Sequence, residues 1–236
     1  MSQAEDYFRR YYDRLIREVL NGRAHLKLWE RLENYRATDY LDELNQAPHF
    51  FHFTTKANLE DALLTLSRIL DRHEDSLSIW KFLNFAEQNR EIFSTQAFHR
   101  RMQQKPNYDE YWAESHKPIT NNEINEDRQK LAKLEHVISN IKKWRDKVID
   151  HMDRDVITKN KVISKEYPLK LKQLQEVIDT LFQILNRYSA AFESSTFAER
   201  FISEDDVQFV IDCIRFYTEE HRRQIETLIK QTRDKG

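Results

Sequence analysis

Leu131-Ala132-Lys133-Leu134-Glu135-His136-Val137-Ile138-Ser139-Asn140-Ile141-Lys142-Lys143-Trp144-Arg145-Asp146-Lys147-Val148-Ile149-Asp150-His151-Met152 reads as one long amphipathic helix. Leu131, Leu134, Ile138 and Ile141, then Val148 and Met152, recur at the helical period and form a core-facing row. The open place in that row, between Ile141 and Val148, holds Arg145. A guanidinium stays charged at accessible pH and seldom lies in such a row without a partner. Either Arg145 meets an anion or the row ends there.

Working outward, composition excludes much. The chain has 236 residues, enough for a sizeable core in one large domain or two small ones. It has only two glycines, one of them terminal, and four prolines. A Walker loop or a dinucleotide fingerprint needs several glycines for backbone to approach phosphate, so both are excluded. So few turn residues also argue against a β fold. A single cysteine, Cys213, allows no intrachain disulfide; its apolar neighbours Val210, Ile211 and Ile214 predict an inert core position. No signal-peptide or membrane-spanning run is present, which predicts a soluble cytoplasmic protein with no membrane partner. The formal net charge of −2, with a third of residues charged, describes solvated helix faces rather than a basic nucleic-acid binder. A few cations in one cleft suffice for local phosphate chemistry.

Periodicity and capping signals predict helices over 3–20, ending at Asn21-Gly22, and over 24–45. Others are expected at 48–71 and at 77–93, the latter capped by Asp75 or Ser76. Thr120-Asn121-Asn122-Glu123 has capping-box spacing and opens the long helix that runs through Met152. Two more helices follow, one with Pro168 in its first turn and reaching 192, the other over 206–231 behind Ser203. Residues 94–120 break the periodicity and read as a long irregular loop. The expected architecture is all-α: one bundle-like domain spanning 1–236, of about seven helices, with that loop embedded.

No His follows a Glu by three or another His by four, so helical di-iron and metalloprotease-type zinc sites fail. His49 and His52 stand three apart without a nearby acidic cluster, and no metal or cofactor is expected. Arg followed by His after four to six residues occurs at Arg68/His73, Arg145/His151 and Arg215/His221. Only Arg145 is followed directly by a polar residue, Asp146. Six helical residues give about 9 Å of rise and roughly 120° of rotation, so Arg145 and His151 flank a groove rather than touch. Two such helices about a two-fold axis would gather two Arg and two His in one cleft. Such a cleft suits an RNA phosphodiester. His151 can move the proton of a ribose 2′-hydroxyl, and the Arg145 fork can stabilise the charged transition state.

Arg145-Asp146-Lys147-Val148-Ile149-Asp150-His151-Met152-Asp153 is similar to the Arg-Asp-Lys-apolar-apolar-Ala-His-x-Asp motif of the abortive-infection (AbiU-type) branch of the HEPN superfamily. Asp150 departs from it, standing where that branch has a small residue. Arg68-Ile69-Leu70-Asp71 and Ser76-Leu77-Ser78-Ile79 resemble a second block of the same branch. The resemblance implies a HEPN-like helical bundle and metal-independent endoribonuclease activity, in phage defence or toxin-like growth arrest. It also implies a homodimer joined through the motif helices and a neutralising antitoxin protein as a partner. Arg145 and His151 would be catalytic, Asp146 an orienter of Arg145, and Lys147, Lys159 and Lys161 contacts to the RNA backbone. Two other readings stand beside it. One is a catalytically silent HEPN-like module that binds RNA, nucleotide or protein; the other is a plain helical interaction protein in which Arg145 makes a structural ion pair.

Overall fold

The computed structural model describes residues 2–38, 40–73, 75–106, 114–149, 163–197 and 206–233, and these residues are all-α. The helices are α1 (Gln3–Arg36), α2 (Leu41–Leu44), α3 (Pro48–Ile69), α4 (Ile79–Gln88), α5 (Thr95–Met102), α6 (Asn121–Lys133), α7 (Glu135–Trp144), α8 (Ile163–Glu166), α9 (Leu171–Glu193) and α10 (Asp206–Arg233). A 3₁₀ turn, Arg90–Phe93, joins α4 to α5, and a π-helical turn, Arg145–Ile149, continues α7. The chain divides into two compact units, Met1–Ala24 with Glu60–Glu199, and His25–Leu59 with Arg200–Gly236.

In the first unit α9 packs against α5 and α6, and α6 against α4. An aromatic cluster fills the centre: the Phe8 ring lies 4.6 Å from Phe192 and 5.0 Å from Phe93, and Tyr188 lies 5.1 Å from Phe82. The capping box forms as expected. Thr120 Oγ1 accepts from Glu123 N at 3.4 Å, and the Glu123 carboxylate accepts from Thr120 N at 2.7 Å. Pro48 opens α3, also as expected.

Several boundaries differ, among them the start of α4, which Ser78 rather than Asp75 or Ser76 precedes. α1 does not stop at Asn21-Gly22 but runs on to Arg36, absorbing most of the second expected helix. Gly22 has no positive φ, so it is not a left-handed cap; a Cβ there would lie 3.3 Å from Thr65 Cγ2, and the glycine serves close approach of α3. The long helix is interrupted at Leu134, where no Gly or Pro stands; this leucine is buried, so packing rather than local propensity sets the break. Part of the expected loop 94–120 is helical, because Ser94 Oγ accepts from Ala97 N at 3.2 Å and caps α5. After it, His116 stacks on Phe98 with centroids 4.2 Å apart and bonds the Ala191 carbonyl at 2.9 Å. Burial pushes the His116 pKa down. The helix expected around Pro168 begins only at Leu171.

In the second unit Leu32, Tyr35, Leu44, Phe51 and Ile211 form a small core edged by Val207 and Ile214. Arg215 Nε donates to Glu43 Oε1 at 2.6 Å, and Tyr35 Oη donates to Gln208 at 2.6 Å. The core position expected for Cys213 is wrong: the residue is exposed. It follows the buried Ile211 by two residues, about 200° around the helix, which turns it to the opposite face. Among the described residues no helix is long and apolar enough to cross a membrane.

Candidate functional site

The site grows from the apolar row that begins at Leu131. Leu131, Leu134, Ile138 and Ile141 are all buried, and Arg145 follows them at the next helical step with 26% of its side chain exposed. The side chain is therefore half-buried, and its guanidinium has an anion to meet. Asp146 Oδ1 accepts from Arg145 Nε at 2.8 Å and lies 2.6 Å from Nη2. This is a short charge-assisted pair, in which one carboxylate oxygen fixes the plane of the fork.

Arg145 also begins the π-helical turn Arg145–Ile149. π-helical turns are rare, and those within α-helices are frequent at functional sites. Here the turn coincides with the motif that sets Arg145 apart in the sequence.

Three contacts fix the frame beneath this turn. Trp144 Nε1 donates to the Tyr167 carbonyl at 2.8 Å, and Asn140 Nδ2 donates to the Pro168 carbonyl at 2.9 Å. The chain ahead of α9 is thereby laid along α7. The Tyr167 ring in turn takes the Lys147 ammonium 5.5 Å from its centroid. Tyr167, Trp144 and Asn140 stand outside the Arg–His spacing. Their one sequence signal is the aromatic-Pro pair Tyr167-Pro168, which stops helix and presents carbonyls.

The helix that leads into the Arg145 block, α7, is tied to the segment that holds the second block. Lys142, one turn before Arg145, lies 3.8 Å from Asp71, and the neighbouring Arg72 pairs with Glu135 at 2.7 Å. Arg72 also stacks 4.3 Å over the Trp80 ring, whose Nε1 donates to the Leu70 carbonyl at 3.1 Å. Lys142, Lys143, Arg145 and Lys147 concentrate positive charge at the end of α7, where the helix dipole favours it.

Of the remaining expected residues, His151, Lys159 and Lys161 lie outside the described residues, as does Asp150. The other two Arg–His spacings have structural explanations. Arg68 pairs with Glu18 at 3.5 Å and bonds Thr65, and Arg215 is taken by Glu43. His221 stacks on Tyr217 with centroids 6.1 Å apart. Among the described residues no group of three His, Cys, Asp or Glu side chains is placed to hold a metal ion.

A family model described as AbiU2, of the HEPN class, matches residues 5–210. No curated protein and no solved structure matches the chain.

Proposed function

This chain belongs to the HEPN AbiU2 family, and on that premise we propose that it is a metal-independent endoribonuclease acting in abortive infection or toxin-like growth arrest. The observation that carries the reading is Arg145: half-buried, oriented by Asp146, and set at the start of a π-helical turn on the family motif. In the proposed reaction His151 takes the proton from a ribose 2′-hydroxyl and the 2′-oxygen attacks phosphorus. The bond to the 5′-oxygen breaks, and that oxygen takes a proton from the protonated imidazole of the second copy's His151 in the shared cleft. The products are a 2′,3′-cyclic phosphate and a 5′-hydroxyl. Arg145 holds the non-bridging oxygens as charge builds, and Asp146 keeps the guanidinium in plane. Lys147, Lys159 and Lys161 bind the RNA backbone. Two copies meet through the motif helices so that both Arg–His pairs face one cleft, and a neutralising antitoxin protein restrains the enzyme in the cytoplasm.

The test is cleavage of single-stranded RNA by purified variants. His151→Ala should lose about 10²- to 10⁴-fold in rate, the usual worth of general acid–base catalysis. Arg145→Ala should lose a similar order, and Arg145→Lys should recover little, since an ammonium cannot reproduce the fork. Asp146→Asn, which disturbs position only, should lose on the order of 10- to 100-fold. Arg68→Ala should cleave as wild type does. Equal rates for wild type and His151→Ala would end the nuclease reading.

One observation favours a second reading. The Arg145–Asp146 pair already satisfies part of the guanidinium, as a structural ion pair would. Under that reading the chain is a silent HEPN module that binds RNA, nucleotide or protein, and no variant changes a cleavage rate because there is none.

A further inference from the structure

We propose that the first unit carries a separate phosphoryl-binding site, built by the start of α1, by α5 and by the end of α9. A cavity of about 210 Å³ there is lined by Glu5, Arg9, Arg100, Arg101, Lys105 and Glu193. Four cationic side chains face two carboxylates, and each carboxylate is shared. Glu5 Oε1 accepts from Arg100 Nη2 and from Arg101 Nη1, both at 2.6 Å, while Oε2 accepts from Ser2 N at 2.7 Å. Glu193 lies 3.2 Å from Arg9 and 3.7 Å from Lys105. Two guanidiniums on one oxygen, and a guanidinium and an ammonium on another carboxylate, leave a formal surplus of two positive charges.

Arg101 shows that this surplus is built in rather than scattered over a surface. The residue is 8% exposed, its Nε donates to the Phe192 carbonyl at 3.0 Å, and its guanidinium lies 4.0 Å over the Phe192 ring. Its Nη2 is buried and has no acceptor among the described residues. Among the described residues the guanidinium is thus held by Glu5, the Phe192 carbonyl and the Phe192 ring alone, and an anion in the adjoining cavity would add Coulombic stabilisation to it. Arg9 also approaches the Phe192 ring, at 5.9 Å. The aromatic face thus supports two cations without neutralising either. A phosphoryl group, with up to two charges and three acceptor oxygens, matches this surplus; a carboxylate, with one charge and two oxygens, does not. The group can come from free phosphate or from the 5′ end of an RNA. None of these residues belongs to the Arg145 site, so the inference stands or falls apart from the nuclease reading.

Titration of the full-length protein with inorganic phosphate at constant ionic strength, followed by calorimetry, tests it. Wild type should bind saturably. Arg100→Gln and Lys105→Gln change side chains that are partly exposed, and each should weaken binding about tenfold, as expected for loss of one charge-assisted contact. Circular dichroism checks that each variant folds, and Arg9→Gln replaces any that does not. Absence of saturable binding, or equal affinity in the folded variants, overturns the proposal. A paired titration with one RNA bearing a 5′-phosphate or a 5′-hydroxyl separates the sources. A preference for the phosphate that Lys105→Gln abolishes points to the RNA end; equal affinity for the two RNAs beside saturable phosphate binding points to the free ion.

Discussion

Glu5 and Asp127 both have side chains with no solvent exposure, yet the fold treats their charges in opposite ways. Burial works against ionisation of Glu5. The Ser2 N–H and the guanidiniums of Arg101 and Arg100 outweigh it, holding the carboxyl at about 2 instead of 4.5. A depressed carboxyl contributes stability above its unfolded pKa and loses it as pH falls toward the folded value. Unfolding free energy should therefore drop by about 3 kcal/mol between pH 4.5 and pH 2 on account of this group. For Asp127 burial is the leading cause and pushes the pKa up, although Arg187 at 3.1 Å and Lys130 at 3.4 Å pull the other way. The fold therefore favours the neutral form, and this residue gains stability as pH falls through the range just above its ordinary value. Urea titration at neutral pH should show Glu5→Gln costing about 3 kcal/mol, because it strands the buried Arg101, and Asp127→Asn costing clearly less. Equal losses would contradict these assignments.

At the scale of elements, Gly22 and Thr65 explain why α1 runs through a sequence that reads as a stop. In a Thr65→Ser background, which removes the methyl 3.3 Å from a Cβ at position 22, Gly22→Ala should stabilise by about 1 kcal/mol. The same change should gain less in wild type, where the threonine methyl must give way; thermal melts of the four proteins measure the coupling, and strict additivity would refute it. Thr120→Ala should cost about 1 kcal/mol by opening the capping box. That box, the start of α3 at Pro48 and the buried row on α6 and α7 were legible because each is decided within a few residues. The continuation of α1 was not, because Asn21-Gly22 is a valid local cap signature and a contact on α3 overrides it. The break at Leu134 has no local signal. Ser94 was a readable cap, but the polar residues around it masked the helix it opens. At the site, Arg145 stood out in its row, and its partner was one residue away. Tyr167 did not, since its carbonyl reaches Trp144 only once α9 is in place.

For the whole molecule, the described residues form an all-α structure of the HEPN AbiU2 family, and the proposed RNA cleavage requires a shared cleft. Sedimentation should then show a two-fold dimer; a monomer at micromolar concentration would remove the shared cleft. The family match ends at residue 210, so most of α10 lies beyond it. The surface there includes Phe216 and Tyr217, exposed at 72% and 70%. The most direct measurement is of the chemistry itself: a labelled single-stranded RNA incubated with wild-type protein in excess chelator, with the new ends analysed. Cleavage should leave a 2′,3′-cyclic phosphate and a 5′-hydroxyl, and none should occur where a 2′-deoxyribose replaces the attacked ribose. Cleavage that persists at the deoxy position, that requires a divalent metal, or that is absent from every RNA although the protein binds it would contradict the account.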